Sequence, residues 1–226
     1  MKLTIYGAGQ TVTGSQYVLE VNGQTLLLEC GLYQGHRSDT FAKNLNFEFS
    51  PRAVDAAILS HAHIDHSGNL PNLVKQGYSG PIYVTPATAG LCELMLMDSA
   101  HIQESDVKFV NRKRERRGEP LIEPLYTQAD AAEVFPLMVP TPYGQEFEPI
   151  NGVTAHLVDA GHILGSSAVV LDVQENGRRF RFSFSGDIGR LNLPLLKDPV
   201  LPERVDYLMM ECTYGDKPHE LMDDAY

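Results

Sequence analysis

At 226 residues the chain can bury a full core, and 43% hydrophobic with 21% charged residues is an ordinary globular balance. No apolar run is long enough to cross a bilayer and no signal peptide or anchor is visible after Met1, which excludes a membrane partner from the expectations. A formal charge of −11 argues against a general nucleic-acid binder, and three cysteines without C-x-x-C spacing (Cys30, Cys92, Cys212) suggest no disulfide framework and make a reducing cytoplasm the default.

Leu3 to Tyr6 reads as a strand, followed by the glycine-rich loop Gly7 to Ser15, which lacks G-x-G-x-x-G and is read as a tight β-connection. Gln16 to Val21 and Gln24 to Glu29 form a hairpin about Asn22-Gly23. Leu32 to Pro51 is expected to be irregular, with a short helix at most. Val54 to Leu59 reads as a buried strand, Asn69 to Val74 as a short helix and Ile82 to Val84 as a strand. A long helix follows from about Ala87 to Arg116, capped by Thr85 or Thr88, with Leu91, Leu94, Met95 and Met97 as its packed face. Its end, Arg112-Lys113-Arg114-Glu115-Arg116-Arg117-Gly118, suits a solvated helix C-terminus with Gly118 as the stop; the sharper reading is an RNA-backbone contact through Arg112, Lys113, Arg114, Arg116 and Arg117. Gln128 to Val134 is a short helix. Strands are expected over 145–149, 153–159, 168–173, 180–185 and 207–210, with a second hairpin turn at Asn176-Gly177. Two sheets packed face to face with helices outside fit this order.

The chemistry concentrates in Ser60-His61-Ala62-His63-Ile64-Asp65-His66-Ser67-Gly68, which places four metal-capable side chains within six positions at a strand-to-helix corner. In an extended segment His61 and His63 share a face, and the turn at Asp65-His66 aims a second pair nearby, so one loop can feed two metal ions. Imidazole beside carboxylate at this density is a typical Zn²⁺ set, and the helical H-E-x-x-H pattern is absent. The bland alternative is a group of surface histidines with no joint role. Asp159-Ala160-Gly161-His162-Ile163-Leu164-Gly165-Ser166 and Phe184-Ser185-Gly186-Asp187-Ile188-Gly189 each present one further side chain from a glycine-flanked loop at a strand end. His36, His101 and His156 are read as structural or surface groups.

With these motifs the chain resembles the metallo-β-lactamase superfamily and, within it, the β-CASP branch of RNA-processing nucleases. Thr11-Val12-Thr13-Gly14-Ser15, the His162 motif and Glu211-Cys212-Thr213-Tyr214-Gly215 carry the second resemblance. It implies an α/β fold of the αββα sandwich type, incomplete at its C-terminal end: residues 1–210 as the metallo-β-lactamase-fold domain and 211–226 as the start of a β-CASP domain that is otherwise absent. It implies two Zn²⁺ ions, one on His61, His63 and His162, the other on Asp65 and His66, with Asp187 bridging them. Glu29, where the family usually has Asp, and Glu211 are implied as supporting residues around the ligands. The expected activity is hydrolysis of RNA phosphodiester bonds by a hydroxide activated by two metals, with Asp65 orienting it and taking its proton. His219 lies too close to Glu211 to be the last ligand of the second ion, so the isolated chain is expected to be weakly active or inactive. A thioester or lactone hydrolase of the same fold, and a noncatalytic RNA- or partner-binding scaffold, are the rival readings; a homodimer is left open.

Overall fold

The computed structural model describes residues 1–35 and 37–216, so His36, His219 and the remainder of 217–226 lie outside the described residues. Asn22 and Gly23 take φ of +50° and +78°, the left-handed pair a two-residue hairpin turn requires, and join β2 (Gln16–Val21) to β3 (Gln24–Leu28). Asn176 and Gly177 do the same at +51° and +75° between β9 (Ser167–Glu175) and β10 (Arg178–Phe184). β1 (Lys2–Gly7) pairs antiparallel with β2, and β4 (Ala56–Ile58), β5 (Ile82–Val84) and β6 (Met138–Pro140) add in parallel beyond β3. The result is a six-stranded sheet in the order β1-β2-β3-β4-β5-β6. A second, five-stranded sheet runs β11-β10-β9-β8-β7, with β7 (Phe147–Ile150), β8 (Val153–Asp159), β9 and β10 antiparallel and β11 (Tyr207–Met209) parallel to β10.

Alternation along the strands decides how the sheets pack. Leu19, Leu26, Leu28, Ala56 and Ile58 face Ala155, Leu157, Val169, Leu171, Phe182 and Phe184 across one buried layer. The opposite face of the first sheet, through Val18, Leu27, Ala57 and Ile82, is covered by α3 (Leu70–Lys75), α4 (Pro86–Arg116) and α5 (Gln128–Ala132). Strands buried on both faces read as near-continuous apolar runs, which is why Leu26-Leu27-Leu28 shows no alternation in type. Thr85 caps α4, its hydroxyl accepting from Thr88 N at 3.2 Å, and Gly118 at φ +65° ends it.

Several boundaries differ from the sequence reading. The buried face of α4 is Thr88, Ala89, Cys92, Leu96 and Ala100, whereas Leu94, expected inside, is exposed. Residues 32–51 hold a short helix, α1 (Arg37–Leu45), as that reading allowed, whereas the helical turn α2 over Ile64–Ser67 was not expected. β6 was not expected, because Met138-Val139-Pro140 is short and ends in a proline that only an edge strand tolerates.

Leu28 is fully buried between the sheets. Leu28→Ala should lower unfolding free energy by about 2–5 kcal/mol in urea titrations of the metal-free chain; a loss below about 1 kcal/mol would mean the inter-sheet layer readily collapses around the gap.

Candidate metal centre

Three strand ends meet at one edge of the molecule. β4 delivers Ser60 and His61, and α2 turns Asp65 and His66 back toward them, with His63 at its N-terminal cap. The residue before β2 and the segment leaving β3 run alongside this turn: Ser15 N donates to Asp65 O at 2.9 Å, Cys30 N to His66 O at 2.7 Å and Leu32 N to Ile64 O at 2.9 Å. A Cβ on Gly31 would collide with the Asp65 carbonyl, so only glycine permits this approach.

The loop after β8 brings His162. Ser166 Oγ accepts from His162 N at 3.0 Å and Ile163 N at 3.2 Å, while Gly165 O accepts from Thr85 Oγ1 at 2.7 Å and Thr88 Oγ1 at 2.9 Å. Asp187 follows β10 after Gly186, whose φ is +55°, and the adjoining Ile188 N donates to Glu211 Oε1 at 2.8 Å. Glu211 thus holds the Asp187 loop against the end of β11. Thr85 and Thr88 were read from the sequence only as candidate helix caps, and Ser60 and Ser166 were not singled out; a hydroxyl beside a ligand motif, as at Ser60 and Ser166, was the available signal.

Among the described residues, His61, His63, His162 and Asp187 place one ligand atom each within 4.8 Å of one another. His63 Nδ1 lies 3.0 Å from His61 Nε2 and 3.2 Å from His162 Nε2, and Asp187 Oδ2 lies 3.6 Å and 3.4 Å from the latter two. The other oxygen of Asp187, Oδ1, is 3.2 Å from His66 Nε2, which is also 3.6 Å from Asp65 Oδ2. Asp187 therefore faces two groups of donors. Glu29 is buried behind them, accepting from Ser60 N at 2.6 Å and His66 Nδ1 at 2.7 Å, with its own backbone at φ +64°. His101 is exposed and His156 half-buried on β8, and neither belongs to these groups.

Burial lowers His61 well below the usual imidazole range, and burial followed by the neighbouring His162 lowers His63, so both favour the neutral, ligating form. His66 goes the other way: burial opposes its charge, but Asp187 and Glu29 push it up to about 10. Asp187 is held at about 2, against its burial, first by His66. Burial pushes Glu29 up, with His66 and Ser60 acting against that rise. Three ring nitrogens converging with a carboxylate leave lone pairs aimed at one point, a donor set that a divalent cation satisfies.

A cleft of about 460 Å³ opens beside this cluster, lined by Thr11, Val12, Tyr17, His66, Asp187 and Glu211. A larger hollow of about 1050 Å³ lies by the Asn22 and Gly152 turns and contains none of the clustered ligands. Arg112, Lys113, Arg114, Arg116 and Arg117 are not brought to the cleft. They sit about 40 Å along α4 from the Thr88 end that touches the His162 loop. Part of their charge is engaged locally, with Arg114 and Arg117 at 3.5 Å and 3.9 Å from Glu119 and Lys113 Nζ 4.3 Å above the Phe109 ring.

Two packed sheets with a His/Asp cluster able to hold a metal ion at one edge define the class of protein. The chain belongs to the metallo-β-lactamase superfamily, whose sequence model matches residues 9–174. It is 36% identical over 219 residues to Ribonuclease TTHA0252 of Thermus thermophilus, covering 97% of this chain and 45% of that protein. It is 31% identical to the transcription termination factor FttA of Lokiarchaeum sp., covering 95% of this chain and 31% of that one, and 30% identical to Endoribonuclease YSH1 of Eremothecium gossypii, covering 95% and 26%. The chain spans less than half the length of each of these relatives. Among solved structures, a metallo-β-lactamase with a HARLDQ motif from Cronobacter sakazakii shares the fold, with a TM-score of 0.50 at 18% identity over 82% of this chain and 62% of that one.

The raised His66 sets a pH dependence for the chelator-stripped chain. Its contribution is complete below its unfolded value of 6.5 and is lost as pH rises through about 10. The melting temperature of the wild type should exceed that of His66→Gln most near pH 6, with the two converging toward pH 10; a gap that widens with pH contradicts this account of the cluster.

Proposed function

We propose that this chain carries the metal centre of a zinc-dependent ribonuclease of the β-CASP branch, with 1–210 as the metallo-β-lactamase-fold part and 211–226 as the start of the β-CASP part. The observation that carries the reading is Asp187, whose two oxygens face separate donor groups, His61-His63-His162 and His66-Asp65, in a chain whose relatives include proteins named ribonuclease and endoribonuclease. Neutral imidazoles with carboxylates suit Zn²⁺. Bound divalent ions would supply Lewis acidity, making water acidic enough to ionise near neutral pH and offsetting charge on the phosphoryl oxygens.

The protein's own groups account for the rest. Asp65 has a quarter-exposed side chain, and its Oδ2 is assigned to orient the attacking water and accept its proton. Asp187 holds the two donor groups at a fixed separation. RNA lies in the cleft bounded by Thr11, Val12 and Glu211, and the distant basic end of α4 is a contact for the flanking strand. Free Cys30, Cys92 and Cys212 accord with a cytoplasmic protein.

The test uses purified residues 1–226, stripped with chelator and reloaded with zinc, then assayed for metal content and for cutting of a 5′-labelled single-stranded RNA. Cleavage is expected to be slow, to require zinc, and to fall about 10²–10⁴-fold in Asp65→Ala, while His63→Ala loses zinc. Cutting that persists in chelator or in Asp65→Ala sinks the assignment. Turnover of a thioester or lactone without RNA cleavage moves the chain to the rival hydrolase class.

A further inference from the structure

The hollow of about 1050 Å³ lies at the far end of the second sheet, about 23 Å along β9 from Ser167, beside the His162 loop, to Gln174 in its wall. Its floor is the outer face of β8, β9 and β10, where Thr154, Asp172 and Arg181 alternate with the inward-facing Ala155, Leu171 and Phe182. Three arginines and three acids line it, so formal charge is balanced, but their engagement is unequal. Asp172 grips Arg181 with both oxygens, at 2.8 Å to Nε and 2.8 Å to Nη2. Asp206 accepts from Arg181 N at 2.7 Å, and Glu148 from Gly152 N at 3.2 Å. The guanidinium groups of Arg179 and Arg204 have no ion-pair or hydrogen-bond partner among the described residues. β10 and β11 run parallel with Phe182 opposite Tyr207, and Asp206 N donates to Arg181 O at 2.9 Å. Counting back along both segments sets Arg179 opposite Arg204, two exposed like charges while the three acids of the hollow are all bonded elsewhere. Arg204 also stands at φ +55°, a backbone state that a non-glycine residue enters at a cost.

We propose that this hollow is a second binding site, for a phosphate group that bridges Arg179 and Arg204. A guanidinium is a planar fork that matches phosphate oxygens two at a time, is always charged and sheds water more readily than an ammonium. A bridging phosphate removes the repulsion between the two forks and leaves Arg181 on Asp172. The rim is preset: Asn22 Nδ2 donates to Asn151 O at 3.1 Å and Gln174 O at 2.9 Å, tying the hairpin turn of one sheet to the other. Phe180, half-buried and edge-on to Tyr207 at 5.6 Å between ring centroids, supplies an apolar wall. That wall favours phosphate carried on a nucleotide, whose base has a flat apolar face, over inorganic phosphate. Nothing at this site depends on bound metal or on the ribonuclease reading. A free nucleotide and a strand of RNA present the same phosphate chemistry, and the hollow is large enough for either to enter.

The measurement is calorimetric titration of adenosine 5′-monophosphate into the full chain, zinc-loaded and chelator-stripped, for the wild type, Arg179→Ala, Arg204→Ala and Arg178→Ala. Arg178 is the control: it is exposed, carries the same charge one residue away, and does not line the hollow. Binding at the hollow is the part common to the loaded and stripped forms. It should be saturable, weaken about 10-fold in Arg179→Ala and in Arg204→Ala, and stay nearly unchanged in Arg178→Ala. No saturable binding to the stripped wild type, or equal losses in all three variants, overturns the site. The three side chains are exposed, so the variants should melt with the wild type. Should one fail to fold, amide shifts of the wild type during the same titration decide: shifts at Gly152, Gln174 and Arg204 are expected, and shifts confined to the surroundings of Asp187 overturn it. A short single-stranded RNA separates the two sources. RNA that binds the stripped chain more tightly than the nucleotide, with the same losses in Arg179→Ala and Arg204→Ala, assigns the site to a strand; nucleotide binding with no gain from RNA assigns it to a free nucleotide. Cutting of RNA reports on the metal centre alone, so that reading and this site stand or fall separately.

Discussion

The site depends on one contact between the sheets. Ser60 O, at the end of β4, accepts from both Ser167 N at 2.9 Å and Ser167 Oγ at 3.0 Å, at the start of β9, and both residues are fully buried. A carbonyl with two lone pairs is fully used by this pair of donors. Its consequence is geometric. His61 follows Ser60 directly and Ser167 closes the loop that carries His162, so the two sheets cannot slide past one another without breaking a buried polar contact. Leucine packing alone, being non-directional, would not hold ring nitrogens from different sheets near 3 Å.

Glycine supports the same edge by allowing close approach. An added Cβ at Gly31 would strike the Asp65 carbonyl, one at Gly189 the Gly161 carbonyl, and one at Gly186 the Ser60 side chain. Gly31 and Gly189 let one segment of the site lie directly on the backbone of another, and Gly186 does so against the Ser60 side chain. The buried acid is the costly part. An isolated carboxylate in a dry interior is strongly disfavoured, and removing one partner of a buried pair costs about 3–5 kcal/mol. Glu29 remains tolerable because Ser60 N, Ser60 Oγ and His66 Nδ1 all point at it. Burial still wins in direction, since its carboxyl is pushed upward despite those partners. The centre is held together by directional bonds to charged groups, and the apolar layer supplies the free energy that makes their burial affordable.

What the sequence revealed follows from how local each signal is. Asn22-Gly23 and Asn176-Gly177 were legible because a left-handed pair is a property of two adjacent residues. The clustering of His61, His63 and His66 was legible because they crowd with Asp65 into one turn. The buried stripe of α4 was misjudged at Leu94, because the face that packs is fixed by where the Thr85 cap and the His162 loop anchor the helix, and residue type does not report that. β6 was missed because three residues ending in proline carry no period. The part played by Ser60 was hidden for a different reason: a serine before a histidine is unremarkable until β3 places Glu29 within 3.0 Å of its hydroxyl.

Electrostatics separates two features that the sequence alone invites one to combine. The chain carries −11 overall, and two divalent ions at the cluster would bring it only to about −7, with the positive charge confined to the cleft. The basic end of α4 lies about 40 Å along the helix from the end that touches the His162 loop, several times the Debye length of about 8 Å at physiological ionic strength. It contributes almost nothing to the potential at Asp187. An anionic group at the centre would therefore be favoured only by charges and hydrogen-bond donors close to the cleft. The basic end of α4 and the cleft are electrostatically independent of one another. The two ends of α4 accordingly differ: the first turn holds the His162 loop through Thr85 and Thr88, while beyond Ala100 no residue of the helix is buried and polar contacts to residues 120–128, through Glu104, Asn111 and Arg114, tie it to the chain.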